Sequence, residues 1–146
     1  MKALTLKHPW PFAIMFMGKD IENRSWKPPV DLFGKRFAIH GGEPPTGKEY
    51  RIFRDVAEGL LERHGKPLFW LDDDDIDQMI QPGIVATAIL THTVTANDGS
   101  SVWYDGPPSI GWYLHEVRLV ADAVKIKGKQ GLWNVPKEIA DELPTL

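Results

Sequence analysis

The sequence contains no cysteine among its 146 residues. A disulfide framework, a cysteine-based zinc site and a cysteine nucleophile are therefore excluded. The sequence also has no apolar run that approaches the ~20 residues needed by a membrane-spanning helix. Its first ten residues include no long apolar stretch of the kind found in signal peptides. We therefore expect no membrane partner and a cytoplasmic location.

A strong excess of charge of one sign is also missing. The 17 lysines and arginines are set against 20 aspartates and glutamates, which gives a net charge of -3. This balance excludes a uniformly basic nucleic-acid-binding surface, although it allows a local basic patch. Hydrophobic residues make up 42% of the chain, which is enough for a folded core. Because no repeat or linker divides this length, we predict a single domain over residues 1–146.

Hydrophobic periodicity and turn residues predict about six strands and four helices. The predicted strands cover residues 3–6, 20–26, 34–40, 83–95, 111–123 and 131–135. The predicted helices cover residues 9–16, 48–64, 72–80 and 136–143, and the four aspartates at 72–75 would cap the third of them. This order predicts an α+β fold with a mostly antiparallel sheet that is curled or barrel-like.

The most distinctive polar pattern is the segment from Lys19 to Trp26. Glu22 and Arg24 are two residues apart, so on a strand they project side by side, and Lys19 lies at the strand's entry. A carboxylate between two cations suits a group that both donates and accepts hydrogen bonds, such as the edge of a base. The alternative is a surface cluster of ion pairs, which contributes little to stability.

The longer stretch that ends with this segment, LTLKHPWPFAIMFMGKDIENRSW, is followed by GKRFAIHGG. Together they resemble the ASCH domain family of the PUA-like superfamily. Lys19, Glu22 and Arg24 match the spacing of the family pattern Lys-x-x-Glu-x-Arg, whereas Gly18 lies one place closer to the lysine than the pattern has it. The later segments GIVATAIL, GWYL and GKQGLW are similar to later elements of the family, so the resemblance covers most of the chain.

The resemblance implies a small PUA-like β-barrel with flanking helices and a cleft that binds RNA or nucleotides. It also implies a possible enzyme, since some members are ribonucleases and others are amidohydrolases that act on modified cytidine. In the amidohydrolase type a lysine that matches Lys19 is catalytic. That type has threonine where this sequence has Glu22, and this departure favours binding over catalysis.

Several aromatic residues are candidates for stacking on a base. Trp10 and Trp26 flank the charged motif and either stack on a ligand or belong to the core. Trp103 and Tyr104 lie in a polar loop, where Trp103 is a candidate stacking lid or an anchor for the loop itself.

Other candidates are histidines and lysines. His8 and His40 follow or end strands and are candidates for acid–base groups at the same cleft. No metal-binding spacing supports a site built from these histidines and Glu22. Lys127 and Lys129 alternate with Lys125, and they either contact phosphates beside the cleft or protect an edge strand.

We predict an RNA- or nucleotide-binding domain whose cleft is lined by Lys19, Glu22 and Arg24 and recognises a base. From sequence alone, Glu22 should favour protonated Lys19, which makes Lys19 an electrostatic clamp rather than a base. The alternative is a hydrolase that uses the same cleft, either a ribonuclease or an amidohydrolase on acylated cytidine, with Lys19 and Glu22 as catalytic residues. A protein-interaction adaptor is a third class. We predict no cofactor, and the sequence leaves the oligomeric state open.

Overall fold

The structure is a computed structural model that describes residues 1–71 and 75–144. The strands in this part of the chain are β1 (Lys2–Leu6), β2 (Ile21–Arg24), β3 (Arg36–Gly41), β4 (Gly83–Val94), β5 (Ile110–Val124) and β6 (Leu132–Asn134). The α-helices in the same ranges are α1 (Trp10–Phe16), α2 (Gly47–His64) and α3 (Lys137–Ala140). Two short 3₁₀ helices cover Val30–Leu32 and Ile76–Met79.

The strands form one sheet in the order β2-β5-β4-β3-β1-β6. β1 and β3 run parallel, and the other neighbouring pairs are antiparallel. The sheet is strongly curled into a half-barrel. The curl brings β2 back towards β1, where Arg24 Nη2 donates a hydrogen bond of 3.0 Å to the Thr5 carbonyl oxygen. The prediction of an α+β fold with a barrel-like, mostly antiparallel sheet is confirmed.

The core follows from the alternation of apolar residues along the strands. Leu4 and Leu6 of β1 pack with Phe37 and Ile39 of β3 and with the fully buried Trp112 of β5. Such alternation is expected when one face of a sheet is covered and the other is more exposed. This cluster joins β1, β3 and β5, and Ile14 of α1 packs into it.

A second cluster packs the two longer helices against each other. The helix predicted over 48–64 is present as α2, and Phe53, Ala57 and Leu60 are buried on one of its faces. They pack near Phe12 and Ala13 of α1. The C-terminal end of α2 is thereby fixed close to the start of β2, where the charged motif lies.

Some predicted boundaries differ from the structure. The helix predicted over 72–80 is a single 3₁₀ turn at Ile76–Met79, and the aspartates at 72–74 lie outside the described residues. Asp75 precedes the turn but does not cap its backbone, since Asp75 Oδ2 accepts a hydrogen bond of 2.9 Å from the Gln78 side chain. β2 ends at Arg24, so Trp26 lies beyond the strand. None of the helices in the described ranges has the length and apolarity required to span a membrane.

Candidate functional site

The turn between α1 and β2 places Lys19 inside the protein. Gly18 has a φ of 72°, a left-handed conformation that glycine adopts without a steric cost. After this turn the Lys19 backbone N–H donates a 3.2 Å hydrogen bond to the Ala13 carbonyl oxygen. The Lys19 side chain is only 3% exposed, and its Nζ donates to the Ile21 carbonyl oxygen.

Among the three charged residues of the motif, Glu22 contacts both Lys19 and Arg24. Lys19 Nζ is 3.6 Å from Glu22 Oε1, and Arg24 Nε is 3.0 Å from Glu22 Oε2. The Glu22 side chain is 9% exposed and the Arg24 side chain 19% exposed. The motif is therefore a largely buried ion-pair network, and the alternative of a solvent-exposed cluster is wrong. Burial makes such a network costly to desolvate, so it is weak evidence for a purely stabilising role.

The pKa of Lys19 is shifted in the direction opposite to the one expected from the neighbouring charge alone. Burial lowers the pKa of Lys19 from its ordinary value, while the charges of Glu22 and Asp105 raise it and only partly offset the effect of burial. The ordering arises because removing an ammonium group from water disfavours its charged form. The carboxylate of Glu22 is visible in the sequence, whereas the burial of Lys19 is not. The lowered pKa makes the neutral amine of Lys19, which can accept a proton, easier to form than in an exposed lysine.

A small cleft of about 140 Å³ opens beside this network, and we call it the Lys19 cleft. Lys19 and Glu22 line it together with Trp10, whose ring centroid is 5.2 Å from Lys19 Nζ in a cation–π contact. Trp10 is half-buried. Its side chain packs against both core clusters and also lines the cleft. The C-terminal end of α2 supplies the facing wall with Arg63 and His64.

The loop between β4 and β5 forms the remaining wall of the Lys19 cleft through Trp103 and Asp105. Asn23 of β2 makes two hydrogen bonds to this loop. Its Nδ2 donates a hydrogen bond of 2.9 Å to the Trp103 carbonyl oxygen, and its Oδ1 accepts one of 3.0 Å from the Asp105 N–H. The Trp103 ring stacks on His64 with centroids 4.0 Å apart and planes 17° apart. One ring face of Trp103 is therefore covered by a protein side chain, and the loop is anchored to the sheet.

Trp26 and His8 do not line the Lys19 cleft. Trp26 packs edge-on against Trp112 with centroids 4.9 Å apart. His8 accepts a 3.1 Å hydrogen bond from the Gln81 N–H at Nδ1 and donates 2.7 Å from Nε2 to the Gly42 carbonyl oxygen. Burial lowers the pKa of His8, which favours the neutral ring that these two bonds require.

The structure places His40, Lys127 and Lys129 at a different opening from Lys19. They line a groove of about 570 Å³, which we call the lysine groove, together with Lys125 and Glu43. The lysine groove and the Lys19 cleft share no lining residue. The sequence-predicted site is thus divided between two openings. The prediction that Arg24 lines the cleft with Lys19 and Glu22 is wrong, because Arg24 lines neither opening; it pairs with Glu22 and donates a hydrogen bond to Thr5 of the lysine groove.

His40 is fully engaged at the floor of the lysine groove. Its Nε2 donates 2.7 Å to the Ile126 carbonyl oxygen, and its Nδ1 lies 3.1 Å from the Thr5 hydroxyl oxygen. Trp133 Nε1 donates 2.9 Å to the same hydroxyl, so the hydroxyl hydrogen is free to point at Nδ1. Burial lowers the pKa of His40 and favours this neutral form. His40 therefore holds the lysine-bearing segment in place.

Six residues that line the Lys19 cleft were not predicted from the sequence: Asn23, Leu60, Arg63, His64, Val102 and Asp105. Asn23 lies inside the recognised motif, and its position between Glu22 and Arg24 was a usable signal for a role on the opposite face of the strand. The end of α2 and the loop reach the cleft only through tertiary packing, which periodicity along the chain does not report.

No protein-family model matches the chain, and no curated protein sequence matches it. Membership of the ASCH family therefore stays a prediction that rests on the resemblance of the motif segments. The ligand-binding roles assigned to individual residues also stay predictions.

Proposed function

We propose that the protein binds the base of a nucleoside, either free or as part of a nucleotide or RNA, in the Lys19 cleft. The observation that carries the proposal is the buried pair of Lys19 and Glu22 at the wall of this cleft. The ammonium group only donates hydrogen bonds and the carboxylate only accepts them, so the pair offers both functions side by side. The polar edge of a base requires that combination.

The size and charge of the Lys19 cleft support a base rather than a phosphate as the bound group. A volume of about 140 Å³ equals the share of about five water molecules in the liquid, which suits a single planar ring. Two cationic residues, Lys19 and Arg63, are balanced by two carboxylates, Glu22 and Asp105. A phosphate placed here would meet both carboxylates, whereas an uncharged ring avoids this repulsion. The resemblance to ASCH domains is in agreement with this ligand class.

Nucleoside titration followed by tryptophan fluorescence tests the proposal, because Trp10 and Trp103 line the Lys19 cleft. We expect at least one of cytidine, uridine, adenosine and guanosine to change the emission with saturation. Glu22→Gln should weaken that nucleoside at least tenfold, since the strong acceptor becomes a weaker one.

The matched control is Glu62→Gln, which makes the same change at an exposed position of α2 outside the cleft. It should bind the nucleoside as the wild type does. If none of the nucleosides alters the emission, or if both variants weaken binding equally, the proposal is wrong. A complete lack of response is the result expected for a protein-interaction adaptor.

A second candidate is a hydrolase that cleaves the amide of an acylated cytidine. The specific observation in its favour is the buried Lys19, whose pKa burial lowers towards the range in which the amine accepts a proton. In this reaction neutral Lys19 would take a proton from water while the water oxygen attacks the acyl carbonyl. Breaking the C–N bond then releases a carboxylic acid, and the exocyclic amine of cytidine takes up a proton. A ribonuclease is disfavoured because Glu22 and Asp105 would repel the scissile phosphate.

Incubation with N4-acetylcytidine and chromatographic detection of cytidine test the second candidate. Lys19→Met should abolish product formation, while Lys35→Met, at an exposed position, should leave it unchanged. The rate should increase as pH rises through the lowered pKa of Lys19, because only the neutral amine accepts a proton. Absence of cytidine with the wild type, together with retained nucleoside binding, would leave binding as the function and exclude this reaction.

A further inference from the structure

We propose that the lysine groove is a second binding site, which holds the phosphate groups of a single-stranded polynucleotide. At about 570 Å³ it is much larger than the Lys19 cleft, and it extends along the ends of β1 and β3. Three lysines, Lys125, Lys127 and Lys129, line it against one carboxylate, Glu43. This local excess of positive charge contrasts with the net charge of -3 of the whole chain.

The lysines alternate with residues that face the protein. Ile126 packs against the core cluster around Trp133, and Gly128 lies against His40 and Thr5. The side chains of the three lysines are exposed. Residues two apart are separated by at most about 7 Å, which is comparable with the distance between successive phosphates of an extended polynucleotide. The lysines are therefore spaced to contact phosphates in succession.

The ammonium groups of Lys127 and Lys129 are available for a ligand. Within residues 1–71 and 75–144 neither group has a hydrogen-bond or ion-pair partner, whereas Lys125 Nζ donates 3.2 Å to the Pro82 carbonyl oxygen. Three lysines against one carboxylate give the groove a local positive charge, which favours an anionic ligand. Binding of such a ligand is expected to release counterions and to depend on salt.

The lysine-bearing segment is held in place before any ligand arrives. His40 Nε2 binds the Ile126 carbonyl oxygen at 2.7 Å, and a Cβ at Gly128 would lie only 2.5 Å from His40 Cε1. The backbone around the lysines is therefore seated against a buried side chain rather than free in solvent. Such preorganisation lowers the entropic cost of binding. His40 acts here as a positioning residue and does not contact the ligand.

Two probes test the lysine groove on the full chain. The first is tripolyphosphate, measured by titration calorimetry, and the second is a labelled oligouridylate of about eight nucleotides, measured by fluorescence anisotropy. We expect both to bind and tripolyphosphate to displace the oligouridylate. Because tripolyphosphate has no base, it reports on the groove alone, whereas nucleosides report on the Lys19 cleft alone.

The decisive variant combines Lys127→Gln and Lys129→Gln. Losing two phosphate contacts should make the slope of log K against log salt shallower by about 1.4 and weaken oligouridylate binding about 25-fold at about 0.1 M salt. The matched control combines Lys35→Gln and Lys48→Gln, which removes the same charge at exposed positions outside the groove. The control should change the slope by less than half as much.

Glu43→Gln provides a change of opposite sign. Removing the carboxylate from the groove should strengthen oligouridylate binding about twofold or more, because repulsion of the phosphates is relieved. Equal losses in the two lysine double variants would overturn the proposal, since they would indicate only the overall charge. Absence of wild-type oligouridylate binding would overturn it too, and binding of tripolyphosphate alone would refute the polynucleotide as ligand.

Discussion

Replacing Gly128 by alanine probes how tightly the lysine-bearing segment is seated. A Cβ at this position would lie 2.5 Å from His40 Cε1, 2.6 Å from His40 Nδ1 and 2.6 Å from Thr5 Oγ1. Carbon atoms normally approach other heavy atoms no closer than about 3.5 Å, so the new atom must displace the segment or the histidine by almost 1 Å. The φ of Gly128 lies outside the positive-φ region, so the effect is steric and not a matter of backbone strain.

The magnitude follows from two contributions. Inserting a methyl group into packed surroundings costs about 1–3 kcal/mol. The displacement also weakens the hydrogen bonds that His40 makes with Ile126 and Thr5, at about 1 kcal/mol for each bond lost. We therefore expect Gly128→Ala to lower the free energy of unfolding by about 2–4 kcal/mol. Gly59→Ala is the matched control, because its Cβ would have no atom within 4 Å in the middle of α2.

The assay is urea unfolding followed by tryptophan fluorescence, with the buried Trp112 and Trp133 as reporters. The control should be more stable than the wild type by about 0.5–1 kcal/mol, because alanine replaces glycine in a helix interior. The two substitutions thus have opposite signs. If Gly128→Ala is as stable as the wild type, the segment is not seated on His40, and the preorganised groove must be abandoned.

Three further predictions concern protonation and the Lys19 cleft. Burial lowers the pKa of His8 and His40, so the unfolded chain binds protons first, and the urea midpoint should fall as pH drops below about 6.5; a constant midpoint down to about pH 5 would contradict this. Burial also lowers the pKa of Lys19, so the urea midpoint should rise more as pH increases towards the ordinary lysine pKa of about 10.4 in the wild type than in Lys19→Met, and equal changes would refute the lowered pKa. Asn23→Ala removes two hydrogen bonds to the loop between β4 and β5 and should cost about 1–2 kcal/mol in urea unfolding, whereas the exposed Asn134→Ala should cost much less.

The elements with strong patterns were predictable from the sequence. The apolar stripe of Phe53, Ala57 and Leu60 defined α2, and β-branched residues defined β4. The alternation that put Glu22 beside Arg24 also predicted their contact correctly. In each case the information is local, because the period of a helix or a strand determines which side chains are neighbours.

The division of the site into two openings was not predictable in the same way. The curl of the sheet, which brings β2 back to β1, determines that His40 and Lys19 line separate openings, and no pattern along the chain records that curvature. The direction of the Lys19 pKa shift was also not predictable from the sequence, for a related reason. Its neighbour Glu22 is visible in the sequence, whereas the burial that outweighs this carboxylate depends on packing of α1 and the loop between β4 and β5.

Thr5 serves the two openings through two different oxygen atoms. Its carbonyl oxygen receives the Arg24 hydrogen bond on the side of the Lys19 cleft, while its hydroxyl joins His40 and Trp133 on the side of the lysine groove. Chemistry at one residue can therefore separate the two halves of the molecule. The substitution Thr5→Val keeps the carbonyl and removes the hydroxyl. It therefore removes the contacts with His40 and Trp133 and keeps the hydrogen bond from Arg24. Thr5 is therefore a position at which the contacts beside the lysine groove can be changed while the contact with Arg24 is kept.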